Sequence, residues 1–115
     1  MRVDGRGHHV SLSRSGPHLI TVISTEPVGV DVESVAAVAA RWDPALVLAA
    51  GERPDTDEER ARIWARKEAV LKRRGSGLAT PMTDVLLAAE TWCDLPGPPG
   101  YVVAVSPGGL EAGAP

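Results

Sequence analysis

The sequence contains no phenylalanine, one tyrosine, three tryptophans and one cysteine in 115 residues. With so few aromatics the core has to be aliphatic and alanine-rich, and each tryptophan becomes an informative large packing piece. A lone Cys93 excludes an intrachain disulfide. No positively charged start leads into an apolar run, and no apolar run approaches the ~18 residues a membrane helix needs. A cytoplasmic protein with no membrane association is therefore expected. Basic tracts are also scarce: nothing continuous extends beyond Lys72, Arg73 and Arg74, and the formal net charge is -3. That balance argues against a nucleic-acid binder that relies on counterion release, although three bases could meet a smaller anion.

What remains is 43% hydrophobic, enough for one domain spanning residues 1–115 with loose ends at 1–7 and 107–115. Two short runs, His8 to Arg14 and His18 to Thr25, flank Ser15, Gly16 and Pro17 and form a hairpin pattern. Val28 to Glu33 alternates, with Val28, Val30 and Val32 on one face and Gly29, Asp31 and Glu33 on the other. Ser34 can cap a short helix through Val35 to Arg41, and Asp43 before Pro44 starts a second, closed by Gly51. Thr56 and Glu59 have the form of a capping box that starts a longer helix near Asp57, running to about Arg74 before Gly75 and Gly77. Thr83 to Thr91 reads as a strand, Leu95 to Gly100 as a turn and Tyr101 to Ser106 as a last strand.

The stretch from Arg62 to Leu78 organises the chain. At about 100° per residue, Glu68 and Lys72 fall within an arc bounded by Leu71 and Trp64 on one side and by Ala61, Ala65 and Ala69 on the other. Arg62, Arg66 and Arg73 fall elsewhere, on the expected solvent side. A carboxylate inside an apolar arc carries a desolvation cost unless a cation meets it, either Lys72 one turn on or a metal ion. Taken alone, Glu68 and Lys72 are also an ordinary i,i+4 pair contributing roughly 0.2–0.5 kcal/mol to a helix.

Asp31 and Glu33, two apart on one strand face, repel unless a cation lies between them. The plainer reading is an acidic outer face of an edge strand. Adding Glu68 gives three hard oxygen donors without a neighbouring His or Cys cluster, a set suited to Mg²⁺. Ser13, Arg14 and Ser15 make a donor-rich corner able to hold a phosphate, although an ordinary hairpin end has the same composition.

In order, SLSRS, VGVDVE, IWARKEAVLKRRGSGL and GYVVAVS resemble the 4′-phosphopantetheinyl transferase superfamily, specifically its surfactin-type branch, over roughly Val10 to Ser106. Family members transfer the phosphopantetheine arm of coenzyme A to a serine of an acyl or peptidyl carrier protein. The resemblance implies that Asp31, Glu33 and Glu68 hold Mg²⁺ and that Lys72, with Ser13 and Arg14, contacts the phosphates of coenzyme A. It also implies that Glu68 and Lys72 are the catalytic pair. Arg14 stands where the family usually has histidine. Surfactin-type enzymes are two similar halves in one chain with the site between them, and this sequence corresponds to roughly the second half plus the last hairpin of the first. Holo-acyl-carrier-protein synthases, of similar length, build their sites between the copies of a homotrimer. A homodimer or homotrimer is accordingly expected. The fold expected is α+β, a small antiparallel sheet covered by one long and one or two short helices. The alternative is a catalytically degenerate family member that binds a carrier protein or another partner.

Overall fold

The computed structural model describes residues 2–3, 7–75 and 79–108. The α+β architecture is as expected, but the strands divide into two three-stranded antiparallel sheets instead of joining in one. The first sheet has the order β1 (Arg2–Val3), β2 (His9–Ser15), β3 (His18–Ser24). The second has the order β4 (Val28–Ser34), β6 (Tyr101–Pro107), β5 (Cys93–Leu95). Arg2 and Val3, expected in a loose lead-in, pair with Val10 and His9.

Sequence patterning explains the layering. Residues 29, 31 and 33 of β4 share a face with Val102 and Ala104 of β6, through the register Asp31↔Ala104 and Glu33↔Val102. Val102 and Ala104 cluster with Val38 of α1 (Val35–Arg41) and with Ala61, Ala65 and Ala69 of α3 (Asp57–Arg74). Small alanines let α3 lie close to the sheet. The opposite face of β4 and β6, formed by Val30, Val32, Val103 and Val105, packs on Ile20 and Val22 of the hairpin. The second sheet is thus sandwiched between helices and hairpin.

Because β4 is the edge strand of its sheet, its outward backbone groups need partners. Serines of β2 supply them: the Val30 and Val32 N–H groups donate to Ser11 Oγ at 3.1 Å and Ser13 Oγ at 3.0 Å. This serine-capped edge is why the two sheets meet without a continuous backbone ladder.

The helix signals act as their chemistry requires. Ser34 Oγ accepts from the Ala37 N–H, and Asp43 Oδ1 accepts from the Ala45 N–H at the start of α2 (Pro44–Val47). That helix stops at Val47, one turn short of the expected stop at Gly51. Thr56 Oγ1 accepts from the Glu59 N–H, while Glu59 returns to the Asp55 N–H. Gly75, at φ 71°, adopts the left-handed turn that ends α3. Gly77 lies outside the described residues.

Two further expectations are overturned. Thr83 to Thr91 is not a strand: it folds into 3₁₀ turns at Met82–Asp84 and Leu87–Ala89, burying Val85 and Leu87 against Val70 and Leu71. Apolar spacing there serves a helix-facing loop with no strand to pair with. Nor do the arginines of α3 simply face solvent. Arg66 forks onto Asp94 at 3.0 and 2.6 Å and lies 4.1 Å over Trp92, and Arg73 reaches Glu90 at 2.8 Å. Arg74 also pairs with Glu90. They fasten the 79–95 segment to the helix. No helix among the described residues is long and apolar enough to cross a membrane.

Candidate active site

Gly29 determines how closely α3 crosses β4. A Cβ at this position would lie 1.9 Å from the Ala69 carbonyl oxygen and 2.7 Å from the Arg73 backbone nitrogen. Without it, the helix rests directly on the strand. The side chains one turn apart on that helix face, Glu68 and Lys72, are thereby carried over Asp31.

Asp31 is 3% exposed. Its Oδ1 accepts from Lys72 Nζ at 3.1 Å and from Ser13 Oγ at 3.0 Å, while Oδ2 is buried with no hydrogen-bond partner. Burial, followed by the neighbouring Glu33 carboxylate, pushes the Asp31 pKa up to about 8, against the opposing pull of Lys72. A proton on Oδ2 would let it donate to Glu33. Glu68, half-buried, is also raised above the ordinary carboxylate range, first by burial and then by the charge of Asp31; Lys72 and Arg41 pull the other way. No hydrogen bond occupies the Glu68 carboxylate among the described residues.

Lys72 serves three acceptors. Besides Asp31, its ammonium donates to the Val30 carbonyl at 3.0 Å and to the Leu12 carbonyl at 3.3 Å. It therefore completes the capping of β4's edge that Ser11 and Ser13 begin. Arg41, not singled out from the sequence, closes the other side: it lies 3.5 Å from Glu33 Oε1 and 5.0 Å over the Trp64 ring. Its position at the last turn of the helix that follows VGVDVE was the available signal, since α1 returns along the same sheet face.

Three carboxylates, Asp31, Glu33 and Glu68, therefore meet two cations, Lys72 and Arg41. Burial raises two of the carboxylates first and the neighbouring carboxylate second, and this deficit of positive charge leaves the rise only partly opposed. Hard oxygen donors, a buried unpartnered Oδ2 and this deficit fit a divalent cation such as Mg²⁺. Among the described residues, however, no three acidic, His or Cys side chains are already gathered closely enough to hold one. Side-chain rotation of Glu33 and Glu68 would be needed to close such a site.

The serine-arginine corner is split by strand alternation. Ser13 is buried and turned toward Asp31, whereas Arg14 is exposed on the outer face of the hairpin with no side-chain partner among the described residues. The structure brings Asp31, Glu33, Glu68, Lys72 and Ser13 together and leaves Arg14 apart.

A family model described as the 4′-phosphopantetheinyl transferase superfamily matches residues 27–95. That stretch contains Asp31, Glu33, Glu68 and Lys72 and excludes Ser13 and Arg14. No curated protein matches the chain.

Proposed function

The chain belongs to the 4′-phosphopantetheinyl transferase superfamily, and from that premise we propose that it moves 4′-phosphopantetheine from coenzyme A to a serine of an acyl or peptidyl carrier protein. The observation that carries this reading is the buried Asp31 with its unpartnered Oδ2, set between Glu33, Glu68 and Lys72. A purely structural domain gains nothing from concentrating three carboxylates at a partly dry helix–strand contact.

Asp31, Glu33 and Glu68 would hold Mg²⁺. When bound, the ion would neutralise charge on the coenzyme A pyrophosphate. Lys72 would present its ammonium to the same phosphates, giving up one of its internal acceptors, while Ser13 would hold Asp31 in place from beneath; Arg14, on the outer face of the hairpin, would meet only coenzyme lying along that face. The carrier serine oxygen attacks the β-phosphorus, a new P–O bond forms, and adenosine 3′,5′-bisphosphate leaves with the electron pair of the broken P–O bond. Glu68 would also receive the serine proton. We further propose that a second copy completes the coenzyme surface in a homodimer or homotrimer. Leu12, Leu19 and Ile23 favour this, being exposed together on the outer face of the hairpin.

The test is incubation of the protein with Mg²⁺, isotopically labelled coenzyme A and a panel of apo carrier proteins, followed by intact mass of each carrier. Gain of one phosphopantetheine on a carrier serine is expected. A folded protein that modifies no carrier would favour the second reading, a non-catalytic partner-binding subunit. One observation speaks for that alternative: Lys72 is fully engaged inside the chain.

A further inference from the structure

On α3, away from Glu68 and Lys72, Ile63 and Arg66 line a cavity of about 500 Å³. Its apolar surface comes from Ala49, Ile63, Leu86, Leu87 and Trp92. Small-molecule sites fall within about 300–1,000 Å³ and combine an apolar lining with a few placed polar groups. Each wall is fixed. Lys67, 0% exposed, donates to the Val47 carbonyl at 2.7 Å, to Glu52 Oε1 at 2.7 Å and to the Met82 carbonyl at 3.0 Å. Glu52 Oε1 also accepts from the Ala49 N–H at 2.8 Å, so the 49–54 loop is anchored from beneath by an ion pair whose lysine is wholly buried. Across the cavity, the Trp92 indole N–H donates to the Leu87 carbonyl at 3.0 Å, and the ring is covered by Arg66.

The charges at the rim are unequal in availability. Arg62 and Arg66 are both held by Asp94, and Arg62 also by Glu58. Arg53 lines the same cavity, is exposed, and has no hydrogen bond or ion pair among the described residues. Glu52 and Glu59 also line the cavity, but Glu52 is paired with Lys67 and Glu59 accepts from the Asp55 N–H, so Arg53 is the one uncommitted charge among the described lining residues, which matches a ligand with an apolar body and a single anionic end.

We propose that this cavity is a second ligand site, separate from the carboxylate cluster, that takes a small amphipathic carboxylate: the hydrocarbon part lies against Ile63, Leu87 and Trp92, and the carboxylate meets Arg53. The site needs neither the metal nor coenzyme A, so it stands independently of the proposed transferase activity.

The experiment titrates the full chain with decanoate and, in parallel, with decanol, following chemical shifts in two-dimensional NMR. Decanoate should saturate with shifts confined to residues 49–54, 63, 66 and 86–92. Arg53→Gln should weaken decanoate about tenfold, the loss of roughly one charge-assisted hydrogen bond, and leave decanol unchanged. Ala88→Trp, at an exposed lining position, should block both ligands while preserving the spectrum of the fold. Asp31→Asn should leave binding intact, which separates this outcome from any failure of the transfer reaction. Non-saturating shifts up to the solubility limit, or equal decanoate affinity in the parent chain and both cavity variants, would overturn the proposal.

Discussion

Lys72 Nζ lies 3.1 Å from Asp31 Oδ1 and at the same time donates to the carbonyls of Val30 and Leu12, so one ammonium links the long helix, the edge strand of one sheet and the neighbouring strand of the other. Its charge also lowers the pKa of both Asp31 and Glu68. Lys72→Met should therefore act on both structure and chemistry. Transfer should fall by about 10²–10³-fold in kcat/KM, the loss of a charge aimed at the phosphates. The pH at which the carboxylates ionise should rise, read by NMR titration of the Asp31 and Glu68 side-chain carbons. Unchanged titration would show that Lys72 is not electrostatically coupled to the cluster.

Asp31 makes a second prediction with a definite sign. Its folded pKa, about 8, lies far above the ordinary value of 3.8. The folded state therefore holds this proton more tightly than the unfolded chain does. The associated stability is complete below the unfolded pKa and is lost as pH rises from there through about 8. In metal-free buffer, Asp31→Asn should match the parent near pH 3 and exceed it by about 1 kcal/mol or more near pH 8.5 in urea unfolding. Added Mg²⁺ should reverse the order: it should raise the melting temperature of the parent more at high pH than at pH 6, and have no effect on the variant. A stability difference that is flat with pH would remove the basis for both expectations.

Much of this was legible in the sequence, and what was not has physical causes. Caps at Ser34, Asp43, Thr56 and Gly75 act through local hydrogen bonds, and the alternation of Val28 to Glu33 through strand geometry, so each could be read from neighbours in the chain. Helical spacing put Glu68 and Lys72 on the inward arc of the long helix, and the chemistry of the carboxylates together with the family resemblance joined them to Asp31. Lys67 was different: its partners are a carboxylate and two backbone carbonyls brought from 15 to 20 residues away, and no periodicity marks a carbonyl. The inward turn of Arg66 and Arg73 likewise depends on distant partners, Asp94 of β5 and Glu90, the latter in the segment expected as a strand. Strand alternation between Ser13 and Arg14 was readable in principle, but a short polar motif invites reading its residues as one unit.

Lys67 should therefore be among the most costly positions to truncate. Lys67→Met keeps the volume yet leaves the carbonyls of Val47 and Met82 and the partly buried Glu52 without their shared donor. Breaking a buried pair from one side costs about 3–5 kcal/mol. Chemical denaturation should show a loss of that order, and adding Glu52→Gln to the variant should recover part of it because the orphaned charge is removed. An additive double variant would mean that the pair is not the source of the loss.

Gly29→Ala tests the closeness of helix and strand. The new methyl would meet backbone atoms of Ala69 and Arg73, which cannot rotate aside as a side chain would. The helix must lift from the strand, separating Glu68 and Lys72 from Asp31. A destabilisation of about 3 kcal/mol or more is expected by denaturation, together with loss of any Mg²⁺-induced stabilisation in the fraction that folds. A variant as stable as the parent would show that the contact at Gly29 is looser than drawn.

The outer face of the hairpin decides whether one chain suffices. Leu12, Leu19 and Ile23 are 47%, 52% and 67% exposed, a patch that a solitary small domain has little reason to keep apolar. It is also near the site, since the Leu12 carbonyl receives Lys72. A copy docked on this face would place its own side chains within reach of whatever Lys72 holds, which a copy on the cavity side of α3 would not. Light scattering at micromolar concentration should therefore report a dimer or trimer. The double substitution Leu19→Asp with Ile23→Asp should yield monomers and, in the same samples, abolish carrier modification. Both positions are solvent-facing in the isolated chain, so circular dichroism should be unchanged. A parent chain that is monomeric yet active would show that Asp31, Glu68 and Lys72 work without a second copy.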